Sequence, residues 1–306
     1  MKKDSLIYIA GHTGLIGSAI TRGLKSLGYK NLILKTHNEL DLINQKEVEK
    51  LFKKERPEYV FVCAGKTGGI YANMKYPADF IYQNLLISAN LIHSSFLYKV
   101  KKLLYIGCSC MYPKFCKQPM KEEYLLTGAL EPTSEPYAIA KIAGIKMCIS
   151  YYRQYGSNFI PVIAGNIYGP GGSHFNEEAH VIPSLIRKFY EAKRNNEKSV
   201  TIGGTGKPTR DFLYVDDMAD ACIFLMRNLE GGEIYNIGTG TSVSISEIAH
   251  IIKSEIKYKG EIVFDISKPD GMLQRCLDIT KIKNIGWKPK TQIKEGIKKT
   301  LQWFMR

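Results

Sequence analysis

Three glycines decide what the first part of this chain can become. Gly11, Gly14 and Gly17 stand in AGHTGLIG (10–17), directly after the apolar run SLIYIA and directly before GSAITRGLKSLGY, whose apolar spacing is helical. A strand that turns at such a corner into a helix is the phosphate-binding corner of a βαβ unit. Gly11 makes the tight turn, Gly14 lets the backbone approach a pyrophosphate, and Gly17 allows helix and strand to pack closely. Leu15 and Ile16 open the helix, whose N-terminus adds partial positive charge. The context points to a dinucleotide site rather than to a structural turn alone.

Downstream, strand-like and helix-like stretches alternate: NLILKT, KEVEKLFKKE, YVFVCAG, FIYQNLLISANLIHSSFLYKV and KLLYIGCS. Strands separated by helix-length segments predict parallel pairing, and right-handed crossovers put every strand's C-terminal end on one edge, where ligands of such sheets bind. Gly and Pro cluster at YGPGGSHF (168–175) and IGGTGKP (202–208), and beyond residue 170 the pattern loosens. The expected architecture is α/β: a Rossmann-type doubly wound parallel sheet with a smaller, interleaved C-terminal α/β substrate lobe. Residues 1–169 plus about 207–240 are assigned to the dinucleotide domain, and about 170–206 plus 241–306 to the lobe.

Composition works by exclusion. A chain that is 44% hydrophobic and 24% charged is an ordinary globular protein. It has no apolar run of the roughly 18 residues that a membrane span needs. The opening MKKDSLIYIAG carries too short an apolar stretch for a signal peptide, so a cytoplasmic protein with no membrane partner is expected. Forty-three Lys+Arg against 29 Asp+Glu give +14, which would suit an acidic partner. The lysines are spread among glutamates on helix faces, the pattern of a solvated surface, so no nucleic-acid partner is expected. Seven cysteines (63, 108, 110, 116, 148, 222, 276), odd in number and without CxxC pairs, predict reduced thiols and no metal site.

The end of the second strand selects the dinucleotide, because an acid there bonds the 2′-hydroxyl of NAD and repels the 2′-phosphate of NADP. In LILKTHNELDL, Lys35 and His37 stand where that acid would be, which favours NADP(H), with Glu39 close by. Asp41 and Leu42 suit an adenine contact, and Ala64 and Gly65 would underlie the cofactor. About 120 residues beyond the glycine corner stands YAIAK (137–141). Four apart on a helix, Tyr137 and Lys141 share a face. A lysine ammonium beside a phenol is expected to lower its pKa and make it a proton carrier near neutral pH. The hydroxyl or thiol that completes such a centre lies in GCSCMYP (107–113), as Cys108, Ser109 or Cys110.

Over nearly its whole length the chain resembles the extended short-chain dehydrogenases, and among them the GDP-L-fucose synthase family. The resemblance rests on AGHTGLIGSAI (10–20), GGIYANMKYPADFIYQN (68–84), SCMYPK (109–114), KQPMKEEYLLTGALEPTSEPYAIAKIAG (117–144), NIYGP (166–170), HVIPSLIRKF (180–189), RDFLYVDDMA (210–219) and SKPDG (267–271). It implies NADPH-dependent C4 reduction of a GDP-4-keto-6-deoxy sugar, with Tyr137 protonating the C4 oxygen beside Lys141. It places the epimerising pair at Cys110 and His180, with His180 also near the cofactor. It puts Asn166, Val181, Arg187, Arg210 and Arg275 around the GDP moiety, and it implies a homodimer through the helix after Tyr137 and FIYQNLLISANLI. A 4-keto group acidifies the C3 and C5 hydrogens, so a thiolate and an imidazole on opposite faces can invert those carbons.

Three positions depart from the family's pattern. Cys108 replaces its catalytic serine, Thr13 and His37 replace its arginines for the 2′-phosphate, and Gly203 replaces its base-stacking tryptophan. The altered strand end motivates a rival reading, a dedicated C4-ketoreductase of a related GDP-4-keto-heptose without epimerase activity. A non-catalytic NADP sensor or RNA binder is disfavoured by the intact Tyr137 and Lys141.

Overall fold

The structure, a computed structural model, describes residues 1–171, 180–268, 270 and 272–306. The chain runs β1 (Ile7–Ala10), α1 (Leu15–Ser26), β2 (Leu32–Ile33), α2 (Gln45–Glu55), β3 (Tyr59–Val62), α3 (Ile70–Lys75), α4 (Pro77–Leu97), β4 (Lys102–Cys108), α5 (Glu135–Tyr155) and β5 (Phe159–Ala164). It continues through β6 (Asn166–Tyr168), α6 (Val181–Arg194), β7 (Ser199–Gly203), β8 (Thr209–Arg210), β9 (Phe212–Tyr214), α7 (Val215–Asn228) and β10 (Tyr235–Ile237). The last elements are β11 (Val243–Ser244), α8 (Ile245–Ile256), β12 (Glu261–Asp265), β13 (Gln274–Arg275), α9 (Thr280–Asn284) and α10 (Ile293–Phe304).

Strands that are apolar at every position are buried on both faces, which is the condition of a parallel sheet. Ile7 to Ala10 and Phe159 to Ala164 are buried throughout. The main sheet has the order β10-β5-β4-β3-β1-β2, and every neighbouring pair is parallel. The chain moves from β1 to one edge at β2 and returns on the other side of β1 at β3. Right-handed crossovers then place α1 on the face opposite α2 and α4. Accordingly α1 packs along α7, while α4 packs along α5. The doubly wound parallel sheet predicted from the alternation is what the chain forms.

After β5 the pairing changes. β6 pairs with β9, β7 with β12, and β8 lies between β11 and β13. A second apolar core, including Ile182, Ile186, Phe189, Ile248, Ile252 and Ile297, joins α6, α8 and α10 over these short strands. Among the described residues, no helix is long and apolar enough to cross a membrane.

Buried polar groups fix the connections around the main sheet. Asn236 in β10 is fully buried, and its amide donates to Met120 O (2.9 Å) and Asp278 O (3.1 Å) while Tyr112 Oη donates to it (2.7 Å). Removing the amide would leave these partners desolvated and unpaired. Asn236→Leu is therefore expected to cost about 2–4 kcal/mol of stability, measured by urea unfolding.

Candidate active site

The strand order reverses between β1 and β3, and the glycine corner lies at that point, where ligands of open α/β sheets sit. Gly11 has φ +83°, and a Cβ there would lie 2.7 Å from Ala64 N, so only glycine lets the two strand ends meet. A side chain at Gly17 would run into the Gly11 carbonyl. At Gly14 the nearest atom to an added Cβ is Gly11 O at 3.4 Å, so the outer face of the corner is open. Gly14 caps α1 without a side-chain hydrogen bond, and the first turn holds no acid. The amides that open α1, at Leu15 and Ile16, have no carbonyl ahead of them in the helix. This cradle of backbone N–H groups and helix-end charge fits a pyrophosphate. Beside it, His12 Nδ1 is buried without a hydrogen-bond partner among the described residues.

At the end of β2 the charge pattern is settled by local bonding. Glu39 accepts from Thr36 N (2.9 Å) and Thr36 Oγ1 (2.8 Å) and pairs with Lys35 at 3.5 Å. Those bonds hold its carboxyl below the usual range, the Thr36 backbone contributing most. Glu39 is thus spent within its own turn, while His37 is exposed. Asp41 turns back onto Ile43 N (3.0 Å), and the Leu42 carbonyl is held by Asn90 (2.9 Å). Asn84 of α4 donates to Lys66 O (3.0 Å), which anchors the loop at Ala64 and Gly65.

Tyr137 lies in the first turn of α5 with its ring edge-on to Phe80 of α4 at 6.0 Å. One turn on, Lys141 is only 5% exposed, and its Nζ sits 4.3 Å over the ring of Tyr105 from β4. Burial pushes the Lys141 ammonium down to about 8, with Cys63 and Cys148 opposing the shift. Burial pushes the Tyr137 phenol up to about 12. This corrects the expectation of a lowered phenol: desolvation dominates, and the lysine charge faces the Tyr105 ring. The result is a phenol that keeps its proton at neutral pH and can donate it, one helical turn before a lysine whose ammonium burial holds below its ordinary range.

The strand end beside them is a second correction. Cys108, the last residue of β4, is joined by a disulfide to Cys110 in the 3-10 turn Ser109–Met111, which packs on α5. The turn folds the chain back so that the two Cα atoms lie 5.4 Å apart, within the range a disulfide requires. Sequence spacing without CxxC had predicted reduced thiols throughout, and five of the seven are free. In this state Cys108 is no hydrogen-bond donor and Cys110 no thiolate, which leaves buried Ser109 as the hydroxyl at this strand end. His180, its expected partner, stands at the N-cap of α6, immediately before half-exposed Val181.

The arginines stand on the smaller sheet β11-β8-β13 and on α6. Arg210 and Arg275 are register partners across β8 and β13. Arg210 donates to Thr209 O (2.8 Å) and Met272 O (2.6 Å). Burial, reinforced by Arg210, pushes Arg275 down to about 10. Among the described residues, the Nε atoms of Arg275 and Arg187 are buried without hydrogen-bond partners, and Arg187 reaches Glu191 only at 3.9 Å. Two guanidiniums opposed in this way favour an anion that can bond both. Asn166 donates to Asp211 O at 3.2 Å. Asp211 itself, 1% exposed, accepts from Thr239 N (2.8 Å) and Thr239 Oγ1 (2.6 Å) and fixes the loop behind the arginines. Asp211 and Tyr105 escaped the sequence reading, although an acid in the otherwise apolar DFLYV (211–215) was a signal for the first.

Comparison with known proteins identifies the family. The model of the NAD dependent epimerase/dehydratase family fits residues 7–238, from the glycine corner through β10. The chain belongs to that family. Within it, GDP-L-fucose synthase 1 of Arabidopsis thaliana is 49% identical over 304 residues, covering 99% of this chain and 94% of the relative. A GDP-6-OMe-4-keto-L-xylo-heptose reductase from C. jejuni has a similar structure, with a TM-score of 0.95, 42% identity, and coverage of 100% and 99%. A GDP-mannoheptose C4 reductase from Campylobacter jejuni with NADP bound gives a TM-score of 0.92 at 44% identity, covering 100% of both chains.

Arg275→Met removes a partly buried charge that faces another, so it is expected to raise the thermal midpoint of the ligand-free protein. It should also weaken binding of a nucleoside diphosphate on the order of tenfold, measured by calorimetry.

Proposed function

We propose that this chain is an NADPH-dependent 4-reductase of a GDP-linked 4-keto sugar, of the GDP-L-fucose synthase type. The observation that carries the reading is the placement of a proton-holding Tyr137 and a buried Lys141 on one helix face, beside the strand end that follows the glycine corner. The relatives named as GDP-L-fucose synthase and as GDP-heptose reductases support the substrate class, and the NADP-bound relative supports the cofactor. The main sheet serves the cofactor and the second core the nucleotide sugar.

Gly11, Gly14, Leu15, Ile16 and Gly17 hold the pyrophosphate, Lys35, His37 and Thr13 face the 2′-phosphate end, and Ala64 and Gly65 form the floor. When bound, NADPH supplies a hydride for C4 of the sugar. Tyr137 donates its phenolic proton to the C4 oxygen as negative charge develops there, and Lys141 stabilises the phenolate left behind. Ser109 orients the carbonyl. Arg187, Arg210 and Arg275, with Asn166 and Val181, hold the GDP. Exposed apolar side chains on α4 and α5, Tyr82, Leu85, Ile139, Tyr152 and Tyr155 among them, support a homodimer through these helices.

A second reading, reduction without epimerisation, is favoured by the Cys108–Cys110 disulfide, which occupies the thiol that would remove the C3 or C5 proton. Two experiments test these assignments. Tyr137→Phe is expected to lower kcat/KM for reduction by about 10²–10⁴ with NADPH affinity retained; unchanged reduction would overturn the mechanism. GDP-4-keto-6-deoxymannose in deuterated water without NADPH should gain deuterium at C3 and C5 only after the enzyme is treated with a dithiol reductant. No exchange in either state would leave the dedicated reductase.

A further inference from the structure

Lys141 is a cation in the protein interior, and the usual compensation for such a charge is a carboxylate. None faces it. The titratable groups around it are Cys63 at the end of β3, Tyr105 on β4, and Tyr137 and Cys148 on its own helix. What meets the ammonium directly is the face of the Tyr105 ring, 4.3 Å from Nζ to the centroid. An aromatic face attracts a cation through its quadrupole, most strongly where water is excluded.

That ring is held on every side. Tyr105 is fully buried, and its hydroxyl lies 2.8 Å from Ser88 Oγ on α4. Ser88 Oγ donates to Asn84 O at 2.7 Å, so the Tyr105 hydroxyl is the donor to Ser88. Gly144, three residues after Lys141 on the same helix, is glycine because any side chain there would run into the Tyr105 ring. Without that gap the ring could not lie against α5 beneath the lysine. The same stretch of α4 carries Phe80 against Tyr137, and Asn84, which donates to Lys66 O and Phe80 O. The seat of the lysine and the wall behind the tyrosine are therefore one packed unit.

We propose that Tyr105 is a positioning residue for Lys141, its ring face keeping the buried ammonium charged and fixed in place one helical turn after Tyr137, with Ser88 and Gly144 fixing the ring. The inference rests on the catalytic reading of Tyr137 and Lys141 for its importance, but not for its test. Tyr105→Phe keeps the ring and drops the hydroxyl, whereas Tyr105→Leu and Tyr105→Met fill the space without a π face.

The test is a 13C NMR titration of lysine-labelled protein without cofactor, with the Lys141 resonance assigned through Lys141→Arg. Loss of the ring should lower the Lys141 titration midpoint by about one pH unit, a tenfold loss of proton affinity, and Tyr105→Phe should retain it. The basic limb of the reductase pH profile should move down in parallel, with KM for the sugar unchanged. If Tyr105→Leu does not fold, as judged by its thermal melt, Tyr105→Met answers the same question. An unmoved midpoint in the folded ring-less variant overturns the proposal. Failure of the catalytic reading is distinguishable, because Lys141→Met would then reduce substrate at the normal rate while the Tyr105 dependence of the titration stood.

Discussion

The close approach of Gly11 to Ala64 is the constraint on which the site depends. Two parallel strands can bring their C-terminal ends into backbone contact only if one residue lacks a Cβ and turns through positive φ, and Gly11 does both. Because that contact lies where the strand order reverses, α1 is aimed outward over the edge of the sheet and its opening amides are left facing the groove. The ends of β3 and β4 and the start of α5 then converge on the same edge, and with them Ala64, Cys108 and Tyr137.

Burial, more than charge pairing, sets the chemistry along that edge. Lys141 is pushed down and Tyr137 up because both lose water on packing, and among the described residues no carboxylate offsets the loss. The same cause acts on Arg275, where a second guanidinium adds to it. These are costs to folding that a bound anion or a reacting carbonyl can relieve, which is the usual trade between a site's stability and its use. Asp211 and Asn236 work in the opposite sense: each is buried with several bonds that fix neighbouring segments of the chain.

How much of this was legible in the sequence depends on the range of the interaction involved. The alternation of apolar runs and the GxxGxxG corner identify the parallel sheet and the cofactor cradle because both are local patterns with a fixed period. Tyr137 and Lys141 were legible for the same reason, being one helical turn apart. The lowered phenol was not realised, because desolvation is contributed by α4 and β4, which are distant in sequence. Glu39 looked available for a ribose, yet a three-residue turn to Thr36 absorbs it. The Cys108–Cys110 pairing was missed because a spacing of two brings two thiols together only if the backbone folds back between them, as it does after β4.

By itself, then, the sequence determined the parallel α/β scaffold, the glycine corner, and the spacing that puts Tyr137 and Lys141 on one helix face. These follow from periodicity, backbone stereochemistry and residue type. Only the tertiary structure decided that Arg210 opposes Arg275, that Tyr105 underlies Lys141, and that Cys108 meets Cys110. The physical reason is that sheet register and burial are set by partners tens of residues away, whose effect on a charge cannot be read along the chain.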